Sequence, residues 1–341
     1  MAVLAVICAG GLLVDDRGLV GSPIWFKPFK FAVSFLAYGL SLAWMVSFLP
    51  SGRARRVGWW AGTFVAAASV VEMVIIVGQV VRGRRSHFNH QTPLDDALFG
   101  VMADAVVVLW LATLTIAVLL LRTRNLDRAA ASAMRSGITL ALTGAAVGFL
   151  MVRPAPGQES GESGVVGAHS VGVPDGGPSM PLTGWATTGG DLRIPHFFGM
   201  HALQLLPLVV MALLALAPRL SRLRAPRVRL RLVRIAAAAY AGVFALLLWQ
   251  ALRGQPLLRP DGATLALAGL IAVATAAAAW AALRTTHAAH KEVDQEVDQG
   301  VDQGVDQEDD EEVDKEVDKE VDKEVDKEGD GEVDEEWEPV A

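Results

Sequence analysis

Cysteine is nearly missing from this chain: Cys8 is the only one in 341 residues. A single thiol excludes an intrachain disulfide framework and any metal site built from several cysteines. Charge is scarce as well, at 20% of residues, and very unevenly placed. The segment from Lys291 onward has 25 Asp or Glu against 5 Lys; with a formal net charge of −7 overall, that tail carries −20 and the rest +13. No kinase, nucleotide-binding or DNA-binding motif occurs, and the first fourteen residues, "MAVLAVICAGGLLV", lack the basic n-region and cleavage pattern of a secretory signal. They read as a short or truncated first helix.

Apolar residues make up 52% of the chain. They fall into runs of about 20 residues, the length needed to cross about 30 Å of hydrocarbon at about 1.5 Å per residue. A basic body would suit nucleic acid, but here the arginines sit between these runs, so the partner implied is a lipid bilayer and not a nucleic acid. The sequence predicts an all-α, polytopic integral membrane bundle of about eight transmembrane helices, near 1–14, 31–49, 58–81, 97–121, 136–152, 195–217, 233–252 and 262–284. The bundle is expected to occupy 1–286, with a disordered, low-complexity acidic tail of V-D-x-E repeats over 287–341 whose partner the sequence does not name. Arginine-rich loops at 53–56, 122–135 and 219–234 mark the cytoplasmic side of the cytoplasmic (inner) membrane. Both termini then fall inside, and the Gly/Ser/Pro-rich loop 153–190 becomes a flexible outer segment.

Ionisable groups inside membrane spans are costly, so each is a candidate site. Glu72 lies about 14 Å below the outer end of its helix, Asp104 about 10 Å and His201 about 9 Å, counting about 1.5 Å per residue. Three helices thus place an acid, an acid and a histidine in one outer layer, with Glu72 and Asp104 as candidate catalytic carboxylates. His201, His196 and His87 are candidate metal ligands. His196 and His201 stand five apart, about 140° around a helix at about 100° per residue, so they cannot grip one ion from a single face. His201 is expected to point inward. Around this layer Lys27, Lys30, Gln79, Asn89 and Gln204 are candidate ligand-binding groups for a lipid or small molecule arriving from the outer face; Lys27, Lys30 and Ser34 share one helical face. His169, His287 and His290 are assigned no role.

Neutral histidine with carboxylate suits a membrane-embedded metal-dependent enzyme, with zinc or iron as the cofactor and a second carboxylate as general base. The set resembles in outline the seven-helix hydrolase superfamily that includes the alkaline ceramidases, whose motifs combine a serine, a histidine and an aspartate on early helices with a late histidine pair. It departs from that pattern in having His-x4-His for His-x3-His and in the adjacency of Ser86 and His87. The alternatives are an ion-coupled permease, in which Glu72 and Asp104 take up protons or cations while Lys27 and Lys30 attract an anion, and a structural or sensor protein whose buried polar groups only join helices.

Overall fold

The computed structural model describes residues 1–123, 126–158 and 164–303, with residues 285–303 described by backbone alone. The chain forms two units, Met1–Arg284 and Thr285–Ala341. Most of the acidic tail predicted for 287–341 lies outside the described residues. The first unit is helical: α1 (Ala2–Val14), α2 (Phe26–Ser47), α3 (Arg53–Val81), α4 (Pro93–Arg122), α5 (Arg128–Ala146) with its short continuation α6 (Gly148–Met151), α7 (Arg193–Leu216), α8 (Pro226–Leu252) and the part of α9 (Gly262–Gln303) up to Arg284.

Seven of these are long and apolar enough to cross a membrane, so the protein is a multi-pass membrane protein. At 13 residues, α1 reaches only about 20 Å at about 1.5 Å per residue; it packs on α2 without matching the other spans in length. Several helices also begin before the apolar run that announces them. In α3 the helix starts at Arg53, and the Arg55 guanidinium donates to the Leu49 and Ser47 carbonyls at the preceding helix end, so charged flanks extend the helix instead of ending it. In α4 Thr92 is the N-cap and accepts from the Asp95 amide, with Pro93 in the first turn, where a missing N–H costs nothing.

The helices are glued by small residues and a shared apolar core. Leu42, Met45, Leu49, Ile116, Leu120, Met134, Ile138 and Leu203 are all buried in one cluster from α2, α4, α5 and α7 and the adjoining turn. Between α5 and α7 the backbones nearly touch: a Cβ on Gly144 would lie 2.6 Å from the Gly199 Cα, so only glycine allows this crossing. The span Gly262–Arg284 is the opposite case. Leu265, Leu270, Val273 and Trp280 lie open along it, as expected of a helix whose apolar surface meets lipid chains.

The loops divide between two ends of the bundle. One end carries 48–52, 126–127 and 217–225; the other gathers 15–25, 82–92, 152–158, 164–192 and 253–261. At this second end the segment read as a flexible loop is folded. Residues 164–192 form a cap in which β1 (Ser170–Val171) pairs antiparallel with β2 (Gly190–Asp191), and Ser179 bridges Ala186. Asn89 of the 82–92 loop bridges Val165, and Gly190 seats so close to Ala251 at the end of α8 that a Cβ there would strike its carbonyl. What holds the cap is carboxylates turned inward. Asp175 accepts from the backbone N–H groups of His169 (3.1 Å) and Ser170 (2.9 Å), while Asp191 accepts from the Ala186 amide (2.8 Å) and from Arg193. Glycine and proline here serve tight turns that these bonds fasten, which is why composition alone reads as mobility.

Candidate functional site

Beneath the cap, α2, α3, α4, α6 and α7 enclose a cavity of about 460 Å³, within the range of small-molecule sites. Its deeper wall is largely apolar, with Phe35, Tyr38, Met102, Val106 and Leu109, and Glu72 stands at the depth of Met102; the wall nearer the cap carries most of the polar groups. The side chains of Val106, Phe149 and His201 in this wall are also exposed, so the cavity opens sideways as well as toward the cap.

The first turns of α2 bring Lys27, Lys30 and Ser34 into the cavity together, as their spacing predicts. Lys30 donates from Nζ to the Thr183 carbonyl of the cap at 2.7 Å. Lys27 makes no hydrogen bond or ion pair among the described residues; its Nζ stands 5.7 Å from the Phe31 ring centroid. From α3, Glu72 enters the same wall at 1% exposure, and its Oε1 is buried with no hydrogen-bond partner among the described residues. Lys27 and Glu72 feel each other's charge but lie farther apart than an ion pair.

Four histidines reach the wall, three of them half-buried. His196 gives its Nδ1 proton to the Gly144 carbonyl at 2.8 Å, a bond made possible by the close α5–α7 crossing. His169 does the same to Asp175 Oδ2 at 2.8 Å, and its ring rests on Phe88 with centroids 4.9 Å apart. In both rings the proton on Nδ1 leaves Nε2 as the acceptor, with no hydrogen bond of its own among the described residues. His87 pairs Nδ1 with the Ser86 hydroxyl at 3.1 Å. Burial, then the charge of Lys27, pushes His87 well below its ordinary pKa, and burial likewise lowers His169 against the pull of Asp175. Burial alone would raise Asp175, but hydrogen bonds from the His169 ring and from two backbone N–H groups hold it well below the usual carboxylate range.

These shifts carry a sign. A histidine whose pKa is lowered in the folded cap favours opening once pH drops below the ordinary 6.5, because the opened ring takes a proton that the closed ring refuses. Asp175 contributes stability that is complete above 3.8 and is lost only below it, so the histidines act alone over the milder range. Hydrogen exchange of residues 164–192, corrected for the intrinsic pH dependence of amide exchange, is therefore expected to speed up as pH falls from 7 toward 5. Protection that stays constant over this range would show that the histidines do not titrate with cap opening.

The candidates from sequence divide as follows. Glu72, Lys27, Lys30, His87, His196, His201 and Gln204 all line the cavity. Asp104 does not: it is exposed on α4, away from the lining, because equal depth in the membrane fixes a layer and not the direction a side chain faces. Gln79 and Asn89 are buried outside the cavity. Gln79 donates to Asp95 at 2.9 Å and Asn89 to the Arg85 carbonyl at 2.9 Å, so both hold structure together. His201 is the more exposed of its pair, with Nδ1 3.4 Å from Gln204 Oε1, and His196 is the inward one, reversing the expectation. Among the described residues no three His, Cys, Asp or Glu side chains group to hold a metal ion, so His87, His196 and His201 do not form the ligand set proposed for them.

Sequence reasoning missed His169, Asp175, Arg85 and Arg193. The only local signal is the Asp-Gly turn six residues after His169, inside a stretch that composition reads as flexible. No known family's sequence profile matches the chain, and no curated protein or solved structure is similar to it.

Proposed function

We propose that this membrane protein binds an amphipathic, anionic small molecule in the capped cavity, as the binding step of a transport or acid–base process at the membrane. The supporting observation is the cavity's two-zone wall: five cationic side chains, Lys27, Lys30, Arg84, Arg85 and Arg193, against two acids, set above an apolar floor. Arg84 and Arg193 are neutralised by Asp95 and Asp191, and Lys30 is tied to the cap. Among the described residues Lys27 and Arg85 are left without a carboxylate partner in ion-pair range, and a head group of opposite charge would satisfy both. The lateral opening suits entry from a bilayer. Arginine enrichment at the other end of the bundle supports placing this end outside.

Binding is tested with a fluorescent dodecanoate and protein in nanodiscs of neutral lipid. Lys27→Met, which keeps the length and apolar stem of the side chain, is expected to weaken binding about 10- to 100-fold, the worth of one charge-assisted hydrogen bond. Unchanged affinity in a monodisperse variant would remove the anion from the reading. A catalytic use of the bound molecule is favoured by one observation, the His169–Asp175 pair in the cavity lining, where a neutral ring bonded through Nδ1 keeps Nε2 as a base. His169→Asn is expected to leave dodecanoate affinity within about twofold, because that ring is assigned to proton transfer and not to holding the anion.

A further inference from the structure

Glu72 is the least compensated polar group of the cavity. It is 1% exposed, its Oε1 has no donor, and no hydrogen bond to either oxygen exists among the described residues. A buried carboxylate without donors is costly, and such groups persist where a partner supplies the missing bonds. Its natural counter-ion, Lys27, sits in the same wall yet beyond ion-pair distance, so neither neutralises the other through a direct bond. The two charges therefore stand as separate, opposite poles across the same space.

We infer that the cavity's ligand carries an ammonium group close to its anion, and that Glu72 is the residue that recognises it. This rests on the binding reading above and narrows its ligand to an amino-acid-like or aminophosphate head on an apolar chain. The anion lies against Lys27, and Arg85 stands on the same wall with no carboxylate in ion-pair range of its side chain among the described residues. The ammonium meets Glu72, where it supplies both the hydrogen bonds and the positive charge that the carboxylate lacks. A hydroxyl would supply one bond and no charge. The chain runs toward Tyr38, Val106 and Leu109, which line the cavity deeper than Glu72.

Competition against the fluorescent dodecanoate separates the possibilities, using dodecanoate, 2-aminododecanoate and N-acetyl-2-aminododecanoate. Wild type is expected to prefer the free amine over dodecanoate by about tenfold or more, the scale of a charge-assisted bond, and to lose that preference for the acetylated compound. In Glu72→Gln the preference, read as the ratio of 2-aminododecanoate to dodecanoate affinity in that variant, is expected to vanish. A wild type that does not distinguish amine from dodecanoate overturns the inference, as does a preference that survives Glu72→Gln. The acetylated probe reads the same contact in unaltered protein should that variant fail to fold. Dodecanoate that binds and depends on Lys27, without any amine preference, defeats only this inference; dodecanoate that does not bind defeats the binding reading itself.

Discussion

Asp95→Ala is expected to lower the stability of the bundle by about 3 kcal/mol, while Asp96→Ala, one residue along, costs under about 0.5 kcal/mol. The two acids are neighbours in sequence and opposites in environment. The Asp95 side chain is 0% exposed and that of Asp96 is 62% exposed. Asp95 Oδ1 accepts from Gln79 (2.9 Å) and Arg82 (2.7 Å), and Oδ2 accepts from the Thr92 hydroxyl (2.8 Å), so one carboxylate ties the end of α3 to the start of α4. Its loss removes charge-assisted bonds worth about 1.5–3 kcal/mol, weakens a helix cap worth about 1 kcal/mol, and strands the buried Gln79 amide. Thermal unfolding of both variants in the same detergent checks this. Equal effects at the two positions would mean that the Asp95 network contributes little.

The second large effect is local. Asp191→Ala is expected to destabilise the cap by about 2–4 kcal/mol, less than the full cost of breaking a wholly buried ion pair because Arg193 keeps some contact with water. Asp191 accepts from the Arg193 guanidinium at 2.6 and 2.9 Å and from the amides of Arg193 (3.0 Å) and Ala186 (2.8 Å). Without it the turn 184–191 loses its internal anchor. Limited proteolysis should then cut within 164–192 while the helices keep their exchange protection, the signature of local opening. Cleavage spread evenly through the chain would point to global unfolding instead.

The sequence made the membrane spans plain because hydrocarbon tolerates little else: every run long enough to cross did become a helix. Helix starts were less legible, since Arg53 and Lys27 look like boundaries in a charge count and are in fact inside helices. The site was half visible. Glu72, Lys27, Lys30 and His196 follow from the cost of polar groups in apolar runs. Asp104 satisfied the same criterion and faces elsewhere, because depth can be read from residue number whereas azimuth depends on which neighbour a helix packs against. His169 and Asp175 were hidden for a different reason: their value comes from bonds between residues of a turn-rich loop, and the apolar periodicity that reveals a helix has no counterpart there. The His196–His201 reversal came from a glycine crossing, since only the approach of Gly144 to Gly199 brings a carbonyl within reach of His196.

The seat of the cap has a consequence for biogenesis. Gly190 rests against Ala251, at the far end of α8, although the cap itself is translated before α7. A nascent chain that has inserted every helix through α7 therefore holds all the residues that line the cavity but lacks the surface that its roof leans on. The cap gains this seat only when α8 has crossed the membrane and returned its last turn to the same end, so the roof of the cavity is completed late in the assembly of each new molecule.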